Sequence, residues 1–209
     1  MGAKVRTVRV LPPLDSLAPP FHFGCCVADP PWSFRDKGSR FAPDQKRPTP
    51  LFPGEVRIYN TMELDDICAL PVQTMMRQQS HLYLWCPMAL LETHPWKVFA
   101  AWGFDYKTGL IWRKLTKNGK EGFYGGHYFR GAHEVCLLGV RGGILTSEPR
   151  NVRSIFSAQG EKVGKHSSKP SRLQEIAERA SPGPYLELFG RRSRPGWVVW
   201  GDQCPEVPA

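Results

Sequence analysis

Four adjacent residues, Asp29, Pro30, Pro31 and Trp32, form the chemically most unusual stretch of the chain, directly after the apolar run FHFGCCVA at 21–28. An ionised aspartate accepts hydrogen bonds and donates none. A residue that precedes proline is held in extended geometry, which projects it from the end of a strand. The prolines lack N–H groups but keep their carbonyls, and the tryptophan adds a flat surface suited to stacking. The stretch is therefore a rigid corner rich in acceptors.

Such a corner suits a planar group that bears an NH₂, and the exocyclic amine of a nucleobase is one. The Asp29 carboxylate and the Pro30 carbonyl could hold both amine protons and favour a more tetrahedral nitrogen, whose lone pair could then attack an electrophilic methyl group. Catalysis of this kind works through positioning and fixed dipoles. The alternative is a structural Pro-Pro turn, with Asp29 as a helix cap and Trp32 in the core.

Apolar runs and one amphipathic stretch predict the strands and helices that position this corner. Strands are predicted at 21–28, 81–86, 104–114, 134–142, 184–190 and 197–201. Helices are predicted at 62–70, with Thr61 as its cap, and at 169–180. Between residues 87 and 103, Pro95 indicates either one kinked helix or two short ones. This order favours an α/β layer structure with a largely parallel sheet, in which ligands bind at strand ends.

The length of 209 residues fits one domain, preceded by an irregular N-terminal arm over residues 1–22. The domain is expected to extend over residues 23–209, with two long loops at 33–58 and 114–132. Loops of that length in a compact domain are usually functional or mobile.

Composition favours a cytoplasmic protein that meets a polyanion. No apolar run approaches the roughly 20 residues that span a bilayer, and the six cysteines include no CxxC pair. The six histidines show no metal-ligand spacing, so no metal site is expected. The net charge of +9 is typical of proteins that bind nucleic acid, although basic surfaces also serve solubility.

The basic charge is dense in the second loop, where RKLTKNGKEGFYGGHYFR at 113–130 holds one acid, Glu121. Its cations, among them Lys117 and Lys120, alternate with aromatic rings. Cations for phosphates and rings for bases are the composition of a single-strand-binding surface; a solvated flexible loop is the alternative. A base inside a duplex cannot enter a pocket, so the target base must be unpaired or flipped out.

The chain resembles the DPPW-signature adenine N(6)-methyltransferases, the family of the eukaryotic messenger-RNA adenine methylase, and within it the compact prokaryotic and phage members. The resemblance covers roughly residues 24–203 and rests on ordered stretches: ADPPW at 28–32, YNTM at 59–62, HLYLWC at 81–86, GLIWRK at 109–114, HEVCLLGV at 133–140, SKP at 168–170, ELFGR at 187–191 and WVVWG at 197–201. It implies a Rossmann-like class I methyltransferase fold that uses S-adenosylmethionine, with the catalytic segment before the cofactor segment.

The resemblance also implies roles for individual residues. The resemblance assigns catalysis to the signature residues Asp29, Pro30, Pro31 and Trp32, and it implies that Trp32 lines the base pocket. The resemblance assigns substrate contacts to Tyr59, Asn60 and Glu134. Lys117 and Lys120 are expected to add contacts from the stretch 113–130, which we call the basic loop. Cofactor contacts fall to Asp29, Lys169, Phe189, Gly190, Arg191, Ser193, Asp202 and Gln203.

Some of these assignments have structural alternatives or depart from the family pattern. Lys169 matches a lysine that pairs with the cofactor's carboxylate, but could be an exposed residue at a helix start. Glu134 could be a capping or salt-bridged acid. Asp202 stands where relatives have asparagine, Asn60 replaces a smaller residue, and Ser193 stands where relatives have a polar ribose partner.

The resemblance favours DNA adenine as the substrate, because the chain is similar to the compact members rather than to the RNA methylases with extra domains or partner chains. Three other readings stay open: the same reaction on RNA, a catalytically inactive nucleic-acid-binding subunit, and N-methylation of a small molecule. The sequence is compatible with a monomer or a homodimer.

Overall fold

The computed structural model describes residues 14, 22–33, 61–124, 128–143, 151–163, 166–202 and 204, and residues 161–163 and 166–168 at the level of the backbone. The expected N-terminal arm lies outside the described residues except for Leu14 and His22, and the first expected loop except for Ser33. Leu14 is buried and belongs to the hydrophobic core.

Seven strands form the central sheet, and two short strands form a separate antiparallel pair. In chain order the strands are β1 (Phe23–Ala28), β2 (Met76–Cys86), β3 (Asp105–Leu115), β4 (His133–Arg141), β5 (Ile155–Gln159), β6 (Glu161–Val163), β7 (His166–Ser168), β8 (Tyr185–Leu188) and β9 (Trp197–Trp200). The order across the sheet is β5-β3-β4-β2-β1-β8-β9. Only β4 runs against the others in this sheet, so the expectation of a largely parallel α/β sheet is confirmed.

Four α-helices flank the sheet in the described part of the chain: α1 (Leu64–Cys68), α2 (Val72–Met75), α3 (His94–Trp102) and α4 (Arg172–Ala180). Helices α1, α2 and α3 contribute to one core cluster and α4 to a second. In β2, Leu82 and Leu84 belong to the first cluster, whereas Tyr83 and Trp85 belong to the second. Since side chains alternate across a strand, the two clusters lie on opposite faces of the sheet, which explains the continuous apolar runs.

The segment from 87 to 103 contains two short helices rather than one kinked helix. A 3₁₀ turn spans Met88–Leu90, and α3 follows with Pro95 in its first turn, where the missing N–H costs no intrahelical bond. Gly103, with φ +76°, ends α3 in the left-handed region.

The prediction that Thr61 caps the first helix is wrong. Helix α1 starts at Leu64, and Glu63 is its N-cap residue. The backbone of Met62 instead forms a bridge with the signature turn: its N–H donates to the Pro31 carbonyl at 2.9 Å, and its carbonyl accepts the Ser33 N–H at 3.1 Å.

The parallel pairing brings the two unusual strand ends to the same edge of the sheet. Strand β1 lies between β2 and β8, with Ala28 paired to Leu188. Just beyond this pair, the Asp29 N–H donates to the Leu188 carbonyl at 3.4 Å. None of the described helices is long and apolar enough to cross a membrane.

Candidate active site

A cavity of about 250 Å³ lies at the carboxyl ends of β1 and β8. Six of the residues that the sequence assigned to catalysis or cofactor binding line this cavity: Asp29, Lys169, Phe189, Gly190, Arg191 and Ser193. They come from three segments that the sheet topology joins, namely the end of β1, the approach to α4 and the turn after β8. The structure therefore brings these predicted residues together.

The Asp29 side chain is 29% exposed and makes an ion pair at the cavity. The Pro30 carbonyl accepts the Trp32 N–H at 2.8 Å, and the Pro31 carbonyl accepts the Met62 N–H at 2.9 Å. Because a carbonyl oxygen has two lone pairs, the Pro30 oxygen can accept one further hydrogen bond. The corner is a turn whose acceptors are partly used by the chain itself.

The Trp32 side chain lies in the hydrophobic core, as the structural alternative for this stretch predicted. It is 7% exposed, its indole N–H donates to the Trp85 carbonyl at 3.0 Å, and its ring meets His94 edge to face at 6.1 Å between centroids. Trp32 therefore anchors the turn against β2. The expectation that it lines the base pocket stays a prediction.

Lys169 joins two acids that come from different strand ends. Its ammonium lies 2.8 and 2.9 Å from the two carboxylate oxygens of Asp29 and 3.1 Å from Glu134 Oε2. An ammonium has three N–H donors, and these contacts can use all three. The sequence assigned Lys169 to the carboxylate of a cofactor, but the structure directs it at the chain's own acids, because two adjacent carboxylates require a cation.

A second lysine, Lys114 near the end of β3, completes this network. Lys114 Nζ lies 2.5 Å from Glu134 Oε1, so Glu134 is held between two ammonium groups, as its salt-bridged alternative anticipated. Burial alone would raise the pKa of Glu134, but Lys169 and Lys114 outweigh it and hold the pKa below its usual value. Burial alone would lower the pKa of Lys169, but Asp29 and Glu134 raise it. Both groups are therefore charged at neutral pH.

The turn after β8 approaches its neighbours closely. Phe189 has φ +64°, a left-handed conformation that is uncommon for a residue with a side chain and is typical of functional sites when present. A Cβ atom on Gly190 would overlap Val199 Cγ1 and lie 3.2 Å from Glu187 Cγ. Glycine is therefore required here for the chain to pass beside β9.

Two residues of the cavity that the sequence did not single out are Glu187 and Gln174. The Gln174 amide donates to Glu187 Oε1 at 3.1 Å, and its own carbonyl oxygen is buried without a hydrogen-bond partner in the described structure. Burial is the main cause that raises the pKa of Glu187 to about 7, and the nearby Asp29 acts in the same direction. Glu187 could have been found from the sequence, because an acid in the apolar strand YLEL is unusual.

Arg194 fixes the segment that forms the outer wall of the cavity. Its guanidinium donates to both carboxylate oxygens of Glu178, at 2.9 and 3.2 Å, and the Trp197 indole donates to the same carboxylate at 2.7 Å. These contacts tie the turn between β8 and β9 to α4.

The remaining predicted residues lie elsewhere or outside the described part of the chain. Tyr59, Asn60 and Gln203 lie outside the described residues. Asp202 is exposed and is not among the residues that line the cavity. Lys117 and Lys120 are exposed on the turn after β3, where the Thr116 N–H donates to the Lys120 carbonyl at 2.8 Å. No three His, Cys, Asp or Glu side chains of the described ranges come together as metal ligands.

Three known proteins that resemble the chain are methyltransferases by name. The chain is 26% identical to the type II methyltransferase M.MunI of Mycoplasma sp over 205 residues, which cover 93% of this chain and 84% of the relative. It is also 26% identical to the N(6)-adenosine-methyltransferase subunit METTL3 of Danio rerio, over 88% of this chain but 28% of that protein. The N6-methyladenosine RNA methyltransferase MTA1 of Cryphonectria parasitica is 26% identical, over 87% of this chain and 51% of its own length.

The chain thus spans most of the mycoplasmal relative and much less of the METTL3 subunit. A sequence profile of the MT-A70 family matches residues 23–203, which is most of the chain and includes every described residue of the cavity. The chain belongs to the MT-A70 family.

Proposed function

We propose that this protein transfers a methyl group from S-adenosylmethionine to the exocyclic N(6) amine of adenine in a nucleic acid, with DNA as the favoured substrate. Membership of the MT-A70 family supports adenine methylation, since relatives carry the names of N(6)-adenosine-methyltransferases. The observation that carries the proposal is that Asp29 lines one cavity together with the predicted cofactor residues Lys169, Phe189, Gly190, Arg191 and Ser193.

The residues of the cavity fit the proposed cofactor. When bound, S-adenosylmethionine supplies an electrophilic methyl group on a positively charged sulfur. Asp29 and Glu187 offer carboxylates to its cationic groups, and the unpartnered carbonyl oxygen of Gln174 offers a further acceptor. Phe189 and Gly190 contribute to the wall of the cavity, and Arg191 and Ser193 supply polar groups for a ribose.

Asp29 and Pro30 would act on the adenine amine as paired acceptors. The carboxylate keeps lone pairs beyond those used by Lys169, and the Pro30 oxygen keeps one beyond its bond to Trp32. Two acceptors on two N–H bonds orient the nitrogen lone pair toward the methyl donor. Lys169 positions Asp29, and its second contact with Glu134 connects this corner to the basic loop.

The described part of the basic loop supports a single-stranded or flipped substrate. Phe123, Tyr128 and Phe129 are 76%, 95% and 89% exposed, so their ring faces are open to stacking. The Arg130 guanidinium lies 5.3 Å from the Phe123 ring centroid, and Lys114 lies 4.9 Å from that of Tyr124. Exposed rings next to cations are the surface on which unpaired bases stack.

The preference for DNA over RNA follows from the pattern of relatives. The chain matches the type II methyltransferase over most of that protein's length, whereas its match to the METTL3 subunit is confined to about a quarter of that chain. The resemblance to compact prokaryotic members associates this form with DNA. RNA adenine is the second candidate, because MTA1 and METTL3 carry RNA or adenosine in their names.

Radiolabelled methyl transfer tests the proposal. Wild-type protein with labelled S-adenosylmethionine should label single-stranded adenine DNA more than adenine RNA, and Asp29→Ala should label neither. Asp105→Ala, which removes an exposed acid at the start of β3, is the matched control and should retain activity. Cofactor binding without transfer to either polymer would contradict the proposal and indicate an inactive binding subunit. Preferential labelling of RNA would reverse the substrate preference.

A further inference from the structure

A second cavity, of about 350 Å³, lies away from the candidate active site and is lined by β5, the segment before it and α4. Three arginines, Arg153, Arg172 and Arg179, contribute to its wall, together with polar and apolar side chains of β5. Among the described residues that line this wall there is no acid. Neither the proposed chemistry nor the basic loop accounts for three guanidinium groups around one cavity.

Helix α4 separates the two cavities and serves both. Ser171 and Gln174 line the candidate active site, whereas Arg172, Ile176 and Arg179 line the second cavity. The spacing of the latter three, i, i+4 and i+7, places them on one face of the helix. Since a helix with its side chains is about 10 Å across, the arginine cavity lies roughly one helix width from the cofactor cavity.

The arginines keep most of their capacity for an anion. Arg172 lies 2.6 Å from Glu175, but this pair is about half exposed and weakly held. Arg179 donates to the Asn151 side-chain oxygen, a neutral partner, at 3.3 Å. Arg153 has no ion pair with any residue of the described ranges. A guanidinium group matches a phosphate with two parallel hydrogen bonds, so the cavity is suited to phosphate groups.

Strand β5 connects this cavity to the basic loop. Arg113 Nε donates at 2.9 Å to the hydroxyl of Ser157, a residue of the cavity wall. Two residues further along β5, the Gln159 amide donates to the Lys117 carbonyl at 3.2 Å. Strand β5 is the edge strand of the sheet in the described structure. These contacts join the arginine cavity and the basic loop along β5, and the two groups of cations together form a basic band.

We infer that the arginine cavity binds backbone phosphates of the same nucleic-acid strand whose adenine enters the active site. This inference rests on the proposed function, because it takes the substrate to be a nucleic acid. Phosphate contacts position a strand without reading its sequence. Ile155, which is exposed beside the arginines, offers an apolar surface for a sugar and favours a polynucleotide over a free anion.

The test is the salt dependence of binding to a single-stranded adenine oligonucleotide, measured by fluorescence anisotropy for wild type and for the double variant Arg153→Gln/Arg179→Gln. The slope of log K against log salt should become shallower by about 0.7 for each phosphate that the variant no longer neutralises. Arg153→Lys/Arg179→Lys keeps the charge and should retain most of the slope. Lys97→Gln/Lys107→Gln removes the same charge from exposed positions on α3 and β3 and should leave the slope unchanged.

Parallel measurements separate this inference from the proposed function. Cofactor affinity, measured by calorimetry, should be the same in all variants, and inorganic phosphate should compete only at concentrations far above those of the oligonucleotide phosphates. Wild-type slope in Arg153→Gln/Arg179→Gln would overturn the inference and leave the proposed function intact. Failure of the wild type to bind the oligonucleotide would overturn both. If the double variant does not fold, Arg153→Gln alone gives the same test with half the expected change.

Discussion

At the scale of single residues, the network of Asp29, Lys169 and Glu134 determines whether the acceptor corner is usable. Two carboxylates from different strands converge on one ammonium group, which is 23% exposed. Without the cation, the two acids would repel each other in a partly buried site. Asp29 would then lose the two contacts that hold its carboxylate in place as an acceptor for the proposed chemistry.

Lys169→Met should therefore lower activity more than stability. We expect methyl transfer to fall on the order of a hundredfold, as happens when other electrostatic groups are removed from active sites. The free energy of unfolding should fall by about 2 kcal/mol, since a partly buried charge network loses its cation. Lys169→Arg restores the charge and should recover most of the stability. Urea unfolding and single-turnover kinetics measure the two effects; equal activity in Lys169→Met and wild type would contradict the positioning role.

Glu187 predicts a pH dependence of stability in the absence of cofactor. Its pKa is raised to about 7 by burial and by Asp29, against the opposing effects of Gln174, Arg194 and Arg192. Since the folded-state pKa exceeds the unfolded value of about 4.5, this group stabilises the fold fully below pH about 4.5. The contribution is lost as pH rises through about 7.

Glu187→Gln should remove this contribution. As the pH rises from 5 to 8.5, the free energy of unfolding of the variant should increase by about 1–3 kcal/mol relative to that of wild type. This is the size expected from the raised pKa of a partly solvated carboxyl group. Urea unfolding at several pH values measures the gain. Glu92→Gln changes an exposed acid, and its free energy of unfolding should depend on pH in the same way as that of wild type. A constant difference between Glu187→Gln and wild type at all pH values would refute the assignment.

At the scale of elements, the core strands could be predicted because both faces of the sheet are covered. Strands β1, β3, β4, β8 and β9 lie within a few residues of the predicted ranges. Strand β5 was missed because only Phe156 of its five residues is buried, which leaves no run to detect. Strand β2 begins five residues earlier than predicted, at Met76, because the polar residues at 77–80 interrupt the apolar run on which the prediction relied.

The residues of the site likewise include some that the sequence could predict and some that it could not. Sequence motifs identified Asp29, Gly190 and Arg191, because the signature and the turn after β8 have unusual composition. They could not identify Lys114 as a partner of Glu134 or Lys169 as a partner of Asp29. The first pairing depends on the register of β3 against β4, which places Lys114 next to the pair of Arg113 and His133. The second depends on the approach of the segment before α4 to the end of β1. Register is a property of the assembled sheet.

Gly201 tests the close packing that shapes the turn between β8 and β9. A Cβ atom there would overlap the backbone oxygen of Gly190, which cannot move aside as a side chain can. Gly201→Ala should lower the free energy of unfolding by about 2–3 kcal/mol and weaken cofactor binding. Gly109→Ala, whose Cβ would have the Cys136 carbonyl oxygen as its nearest neighbour at 3.4 Å, should change stability by less than about 1 kcal/mol. Equal effects of the two substitutions, by thermal unfolding and calorimetry, would contradict the packing argument.

At the scale of the whole molecule, the described residues include two groups of cations, the basic loop and the arginine cavity, which β5 joins. The basic loop, β5 and the arginine cavity follow one another, and Lys114 links the loop to the acids of the candidate active site. A strand bound along this band would have its phosphates held on both sides of α4 while one base enters the site. Long-range attraction of this kind also raises the rate of encounter at low salt.

Lys117→Gln/Lys120→Gln should weaken binding to single-stranded oligonucleotides and flatten its salt dependence. Both lysines are exposed, so stability should be unchanged within about 0.5 kcal/mol. Anisotropy titrations at several salt concentrations measure the slope, and circular dichroism confirms the fold. Combined with the arginine substitutions, the changes in slope should add, because the two groups contact different phosphates. Wild-type affinity at every salt concentration would exclude the loop from the binding surface.

The most direct test of the acceptor corner is the product formed by wild type and by Asp29→Asn under saturating cofactor and oligonucleotide, identified by mass spectrometry of the digested nucleosides. Wild type should yield N(6)-methylated adenine nucleoside in a single turnover. Asp29→Asn, which exchanges one carboxylate acceptor for a donor, should yield it at least about a hundredfold more slowly. N(6)-methylation at the wild-type rate in Asp29→Asn, or methylation of a different base atom by the wild type, would contradict the central role of Asp29.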